Sequence, residues 1–412
     1  MERKVLRRCH IRIVLLLSAL VCNAALAQTQ APPAAAPAPA TPAAPGAPPV
    51  AGIAAAASTP AVPPTEPKSR AWYEELSLNA FFSAGYLYNL NRPSTRMNAL
   101  RVFDAEDNTF SIGVAEVSLQ KPVSAPAEVG FRFDLDFGGV ISPRTVSTGD
   151  TAGNFDLRQA FASWVAPVGS GLRLDLGKFV THTGYEVIEG YENYNDNYSR
   201  SFLFNYAIPF THTGAKLSYT VSPMLSAMVM VANGWDAALS KTRGKMVGAE
   251  VALTLIEPLS LVLNYCGGVE NVAPGGDEIR QLFDAVAIFK ATPWLTLGLN
   301  GDYGIETRSK VPNGADATWY GGAAYLRLDA PSGYGLAVRA EAFRDAGGTR
   351  TGLGVPATIY EGTATAFYKL SSHFVVRGEF RLDGSKDGVY PQNDGSLGKT
   401  QPTFGANTLF VY

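Results

Sequence analysis

From Trp72 to the C-terminus, apolar and polar residues alternate with a period of two. Val129, Phe131, Phe133, Leu135 and Phe137 interleave with Gly130, Arg132, Asp134, Asp136 and Gly138, so one face of the segment is apolar and the other charged, as in a pleated strand. Leu172, Leu174 and Leu176 stand likewise against Arg173 and Asp175, and Leu295, Leu297 and Leu299 against Thr296, Asn300 and Asp302. Phe374, Val376, Phe380 and Leu382 oppose Arg377, Glu379 and Arg381 in the same way. Sixteen strands follow: 77–89, 110–120, 128–138, 155–166, 172–181, 211–221, 224–233, 244–256, 259–268, 281–290, 294–303, 316–328, 334–343, 358–370, 373–382 and 402–412.

Alternation does not say which face meets water, because a soluble sandwich buries the apolar side whereas a barrel in lipid turns it outward. The connections decide. Short turns such as Ser222-Pro223, Glu257-Pro258 and Ser371-Ser372 alternate with connections of ten residues or more, such as 90–109, 139–154 and 182–210. Outer-membrane barrels have short turns on the periplasmic side and long external loops. The predicted fold class is therefore all-β, a transmembrane antiparallel up-and-down β-barrel of about 16 strands with both ends periplasmic. Segments 155–166, 281–290 and 316–328 mix polar and apolar residues, and losing one hairpin gives the alternative of 14.

Composition agrees with this reading. Charged residues are 17%, and 41 glycines and 18 tyrosines stand beside 6 methionines. No apolar run after the N-terminus is long enough for a membrane helix. Residues 1–27 read as a secretory signal peptide, with Arg3, Lys4, Arg7, Arg8 and Arg12 before an apolar core from Ile13 to Val21 and Ala25-Leu26-Ala27 at the cleavage site. Removing its five basic residues and Glu2 takes the net charge from −2 to about −6, which excludes a basic surface for nucleic acid. Cys266 alone remains, so no intramolecular disulfide is expected. Residues 28–70 are almost all Ala and Pro and read as a disordered periplasmic tether. Its roughly 40 residues reach about 120 Å when extended. The barrel domain is then 71–412.

The last strand places Phe404, Ala406, Thr408, Phe410 and Tyr412 on one face. Phe410 and Tyr412 are the candidate signal for the barrel-assembly machinery, with Tyr last where such chains usually carry Phe. Tyr86, Tyr88, Trp164, Trp294 and Tyr368 fall near strand ends, as interfacial girdles do.

Asn98-Ala-Leu-Arg-Val-Phe-Asp104 with Asn108-Thr-Phe-Ser111, Gly184-Tyr-Glu-Val-Ile188, Tyr198-Ser-Arg-Ser-Phe-Leu-Phe204, Ala207-Ile-Pro-Phe210 with Thr211-His-Thr-Gly214, and Asn233-Gly-Trp-Asp236 resemble the OmpL-like putative β-barrel porin family of Gram-negative bacteria. The likeness runs from about residue 75 to Tyr412 and is most specific over 178–214. It implies an outer-membrane channel and carries over no substrate and no catalytic residue.

The longest connection, 182–210, holds Glu186, Glu189, Glu192, Asp196 and Arg200. Folded into the lumen it would constrict the pore, and its four acids against one base would give a mild cation preference. Arg132, Asp134, Asp136, Arg173, Asp175, Arg339, Glu341, Arg377, Glu379 and Arg381 are the expected pore-lining charges, since charge on the lipid face is costly. Thr-His-Thr-Gly occurs at 181–184 and 211–214, which brings His182 and His212 near each other. Two histidines make a weak metal site without a third ligand such as Glu186, so no metal and no cofactor are predicted. No G-x-S-x-G, Walker A or H-E-x-x-H motif occurs. The expected function is an outer-membrane porin, a passive diffusion channel for small hydrophilic solutes, in contact with outer-membrane lipid and as a homo-oligomer by analogy. The alternatives are a structural anchor with a closed lumen tethered toward the cell wall, and a barrel enzyme.

Overall fold

The structure is a computed structural model and describes residues 72–412 except 124, 139–150, 153–154, 241, 274–275 and 308–314. The signal segment and the tether lie outside the described residues. Among the described residues sixteen long antiparallel strands form one closed sheet: β1 Ser77–Asn89, β2 Thr109–Lys121, β3 Val129–Phe137, β4 Phe155–Ala166, β5 Leu172–Val180, β6 Thr211–Ser222, β7 Leu225–Ala232, β8 Met246–Ile256, β9 Leu259–Ala273, β10 Gly276–Thr292, β11 Leu295–Glu306, β12 Ala317–Asp329, β13 Tyr334–Asp345, β14 Ala357–Lys369, β15 Phe374–Ser385 and β16 Thr400–Val411. The fourteen-strand alternative is thereby excluded. Each strand pairs with its sequence neighbours, and β1 closes on β16 in a register running from Phe81↔Val411 to Asn89↔Thr403. Closure satisfies the backbone of every strand within the sheet, which lipid demands.

The apolar faces point outward. Val129 and Leu299 are 60% and 59% exposed, whereas Asp134 and Arg381 are fully buried. A soluble core would show the reverse, so the strand pattern is that of a barrel in lipid. Outward-facing Trp164, Trp294, Tyr334 and Tyr412 stand at the short-turn end. Tyr412 continues the last strand through two backbone hydrogen bonds of 2.8 Å with Ala80.

One connection differs from expectation. Residues 269–280 read as a long loop, but β9 and β10 remain paired out to Ala273↔Gly276. Val269 and Ile279, β-branched and directly opposite, carry the ladder onward. A second short pair, Tyr390–Pro391 with Leu397–Gly398, folds within the connection between β15 and β16.

Candidate functional site

The connection after β5 runs inside the barrel. Its backbone meets strands on opposite sides of the lumen: the Gly184 amide donates to Asp284 on β10 at 3.1 Å, and the Tyr191 amide to Glu116 on β2 at 2.8 Å. The Tyr198 and Ser199 amides donate to Glu379 on β15 at 2.6 and 3.0 Å. Glu341 on β13 accepts the amides of Phe202 and Leu203, where a single π-helical turn, Leu203–Ala207, begins. Wall carboxylates thus satisfy the amides of a segment that has no strand partner, which burial requires.

The loop's own charges are paired with the wall. Glu186 pairs with Arg339 and accepts the Ser201 amide at 2.7 Å. Glu189 lies 2.8 Å from Arg200 and 3.5 Å from Arg377. Glu192 pairs with Arg132 at 2.6 Å, and Asp196 with Arg327 on β12. Of the four acids only Glu192 is well exposed, its side chain at 49%.

The wall charges divide into two sets. Arg339 also holds Glu361, Arg381 holds Asp383 at 2.6 Å and donates to Ser199 Oγ at 3.2 Å, and Arg377 donates to Asn407 at 2.8 Å. Arg377 and Glu379, two residues apart on one strand face, both contact the loop. On the other side, Arg132 pairs with Asp134 at 2.9 Å, Arg173 with Asp175 at 2.8 Å, and Asp136 lies 3.5 Å from Arg158. Arg173 and Asp175 touch no loop charge; their further partners are Ser163 and Lys216.

The second half of the loop is apolar. Phe202, Leu203, Phe204, Tyr206, Ile208 and Phe210 are buried against Trp319, Phe343, Ile359, Met230 and Met246 on the wall. Phe103, from the connection after β1, packs on Phe204 and Phe210 with ring centroids 5.6 and 5.5 Å apart. Two inward-facing glycines make sockets. A Cβ on Gly298 would stand 2.4 Å from the Tyr185 ring, and one on Gly405 2.8 Å from the Tyr198 ring. Tyr185 in turn stacks on Tyr325 at 3.9 Å.

Beside the loop a polar cavity of about 540 Å³ remains, lined by β3 to β8 and including Arg132, Arg173, Lys216, Ser218 and Glu192. His182 and His212 do approach, with ring centroids 5.8 Å apart. Their Nε2 atoms meet the Tyr265 carbonyl and Thr181 Oγ1 at 3.3 and 3.2 Å. Glu186, the third ligand considered, is turned to Arg339 instead.

Several site residues escaped the sequence reading. Glu116, Arg158, Arg327, Glu361 and Asp383 occupy inward positions equivalent to those recognised, but they lie in segments without clean alternation or just outside the densest runs of charge. Arg158 is instructive. Asp134 pairs with Gln159 and Leu135 with Leu157, so Arg158 is the extra residue of a β-bulge. Arg158 and Gln159 consequently both point inward and both reach Asp134, at 3.3 and 2.6 Å.

Residues that carried the family resemblance fasten the first connection to the wall and the end of the inner loop to its neighbour. Arg101 pairs with Asp104 and Asp383, and Asp236 accepts the amides of Phe210 and Thr211.

Solved structures share the fold. The anion-selective porin from Comamonas acidovorans superposes with a TM-score of 0.56 at 12% identity, covering 82% of this chain and 99% of its own. OmpT, an outer membrane protein of Vibrio cholerae in trimer form, gives 0.55 at 11%, with the same coverage. OmpF of Salmonella typhi in complex with daunomycin gives 0.54 at 11%, again over 82% and 99%. Among curated proteins nothing matches. The family described as "Putative beta-barrel porin-2, OmpL-like" matches residues 75–411; with its closed sixteen-stranded barrel, the chain belongs to that family of Gram-negative outer-membrane proteins.

Proposed function

We propose that the chain is a passive, non-enzymatic diffusion channel for small hydrophilic solutes, narrowed by loop 182–210. The observation that supports this reading is the polar cavity of about 540 Å³ beside the loop, bordered by half-exposed Arg173 and Glu192. A sixteen-stranded barrel leaves an aqueous lumen wherever side chains and loops do not fill it. The cation preference expected from the loop acids rests on Glu192, because Glu186, Glu189 and Asp196 are buried against arginines whereas Glu192, paired with Arg132, keeps half of its side chain exposed. Selection by size and hydrogen bonding then outweighs selection by sign.

Planar-bilayer recording from the purified chain, with liposome swelling in sugars of increasing size, tests the reading. Discrete conductance steps and a sharp size limit are expected. The loop's bonds to opposite walls favour a second reading, a barrel with a closed lumen serving as an anchor, and a wild type without any conductance would leave that one standing. Assembly into a homo-oligomer, and recognition of Phe410 and Tyr412 by the barrel-assembly machinery, belong to the same proposal. Deleting Tyr412 removes the two bonds to Ala80 and is expected to lower the SDS-resistant folded form in membranes; unchanged amounts on a heat-modifiability gel would remove that role.

A further inference from the structure

The lumen wall carries acids that are paired almost everywhere with arginine or lysine, and one place departs from this. Asp284 on β10 and Asp302 on β11 are directly opposite in the ladder, and both are buried. Like charges so placed repel. Asp284 is fully engaged: Asn264 and Gly184 donate to Oδ1 at 2.6 and 3.1 Å, and Asn300 to Oδ2 at 2.6 Å. Asp302 is not. Both of its oxygens are buried without a donor, and its charged neighbours, Asp284 and Glu341, are acidic.

A second observation points the same way. Asn264, 5% exposed, uses its amide nitrogen on Asp284, and its Oδ1 is buried with no partner. Glu250, directly opposite Asn264 on β8, also has both oxygens buried without a donor, although Lys216 supplies a positive charge on its side of the row. The row Glu250, Asn264, Asp284, Asp302 is thus a line of hard oxygens across four adjacent strands. Buried oxygens of this kind are costly unless something positive meets them. A proton shared by the two aspartates would relieve their repulsion but would leave Asn264 Oδ1 unmet.

We propose that Asp284 and Asp302, with the amide oxygen of Asn264, bind a hard divalent cation of the calcium class. Two carboxylates balance its charge, and carboxylate and amide oxygens are the donors such ions select. Among the described residues no three His, Cys, Asp or Glu side chains converge on one point, so water completes the shell. The ion stands behind the start of the inner loop, whose Gly184 and Tyr185 amides rest on Asp284 and Asn300. It therefore secures the loop base, whether or not the pore conducts.

The test uses the purified full chain in detergent micelles free of lipopolysaccharide, with calcium chloride or EDTA. About one calcium per chain should bind by equilibrium dialysis, and calcium should raise the temperature at which the folded band disappears on SDS gels. Asp302→Asn should weaken binding by about tenfold or more and abolish that rise. Asn264→Lys, which supplies its own charge and keeps both carboxylates, should stay folded in EDTA and lose the response; it carries the test if Asp302→Asn does not fold. Asp394→Asn, in the external hairpin, should behave as wild type. A wild type that binds no calcium, a transition equal in calcium and EDTA, or an unchanged response in Asp302→Asn or Asn264→Lys would overturn the site and leave a shared proton.

Discussion

The two sides of the lumen use one alphabet of charges for different purposes. On β12 to β15 the arginines are almost completely buried. Arg339 and Arg381 have no exposed side-chain surface, and each binds a wall carboxylate and the loop at once. On β3 and β4 the charges are buried as deeply, Asp134 and Arg158 included, but on β5 and β6 the Arg173 side chain is 39% exposed and Lys216 24%. The first wall is a fastening, and the second opens into an aqueous surface around Arg173 and Lys216. Burial separates them, and the loop's apolar half packs on Trp319, Phe343 and Ile359 of β12 to β14 and on Met230 and Met246 of β7 and β8, away from Arg173.

The largest effect is expected from breaking the fastening. Arg339→Ala strands Glu361 and Glu186 and removes the bond to the Ser199 carbonyl. Truncating one partner of a buried pair costs about 3–5 kcal/mol. Urea unfolding followed by tryptophan fluorescence should register that loss, and single-channel recording should show larger, noisier conductance as the loop leaves its seat. Arg173→Ala, across the lumen, should cost at most about 1 kcal/mol because its guanidinium is partly solvated and Asp175 keeps Ser163 and Lys216. Equal costs for the two would dissolve the distinction between the walls.

Much of this was readable in the sequence and some was not, for physical reasons. The strand alternation gave the barrel and its inward charges, since lipid on one face and water on the other leave a signal of period two. Segment 155–166 read poorly because the bulge at Arg158 turns two consecutive residues inward, and a bulge breaks the period. The connection 269–280 read as a loop because its strands extend past the region where alternation is enforced. At 182–210 the acids stand out in the sequence, but their charge is spent in pairs with arginine. The better signal was the apolar run Phe202-Leu-Phe-Asn-Tyr-Ala-Ile-Pro-Phe210, which could not face solvent in an external loop and marked what fills the lumen.

A smaller effect should follow from blocking a socket without touching any charge. Gly298→Leu places a side chain where the Tyr185 ring lies, displacing it from Tyr325 and straining the loop base. Overpacking of this kind costs about 1–3 kcal/mol. The destabilisation should appear in the same urea series with little change in ion selectivity, because no charge is altered. A variant as stable as the wild type would show that the loop base tolerates displacement and that the fastening lies wholly in the arginines.

The smallest effect concerns selectivity, where the comparison makes its sharpest claim. Neutralising Glu186, Glu189, Glu192 and Asp196 together should move the zero-current potential in a salt gradient toward anions, as a simple count of loop charges predicts. If buried pairs are electrically silent, nearly all of that shift belongs to Glu192, whose pair with Arg132 leaves its carboxylate half exposed at the cavity edge and within a Debye length, about 8 Å at physiological salt, of ions beside it. Glu192→Gln alone should therefore reproduce the quadruple variant's shift. Arg173→Gln on the open wall should move the potential the opposite way by a similar small amount. Neutralising only Glu186, Glu189 and Asp196 should leave the potential near wild type while lowering stability, because each takes one carboxylate from a buried arginine. A full shift from those three would mean that the loop leaves its seat during conduction, so that the fastened wall is also part of the path.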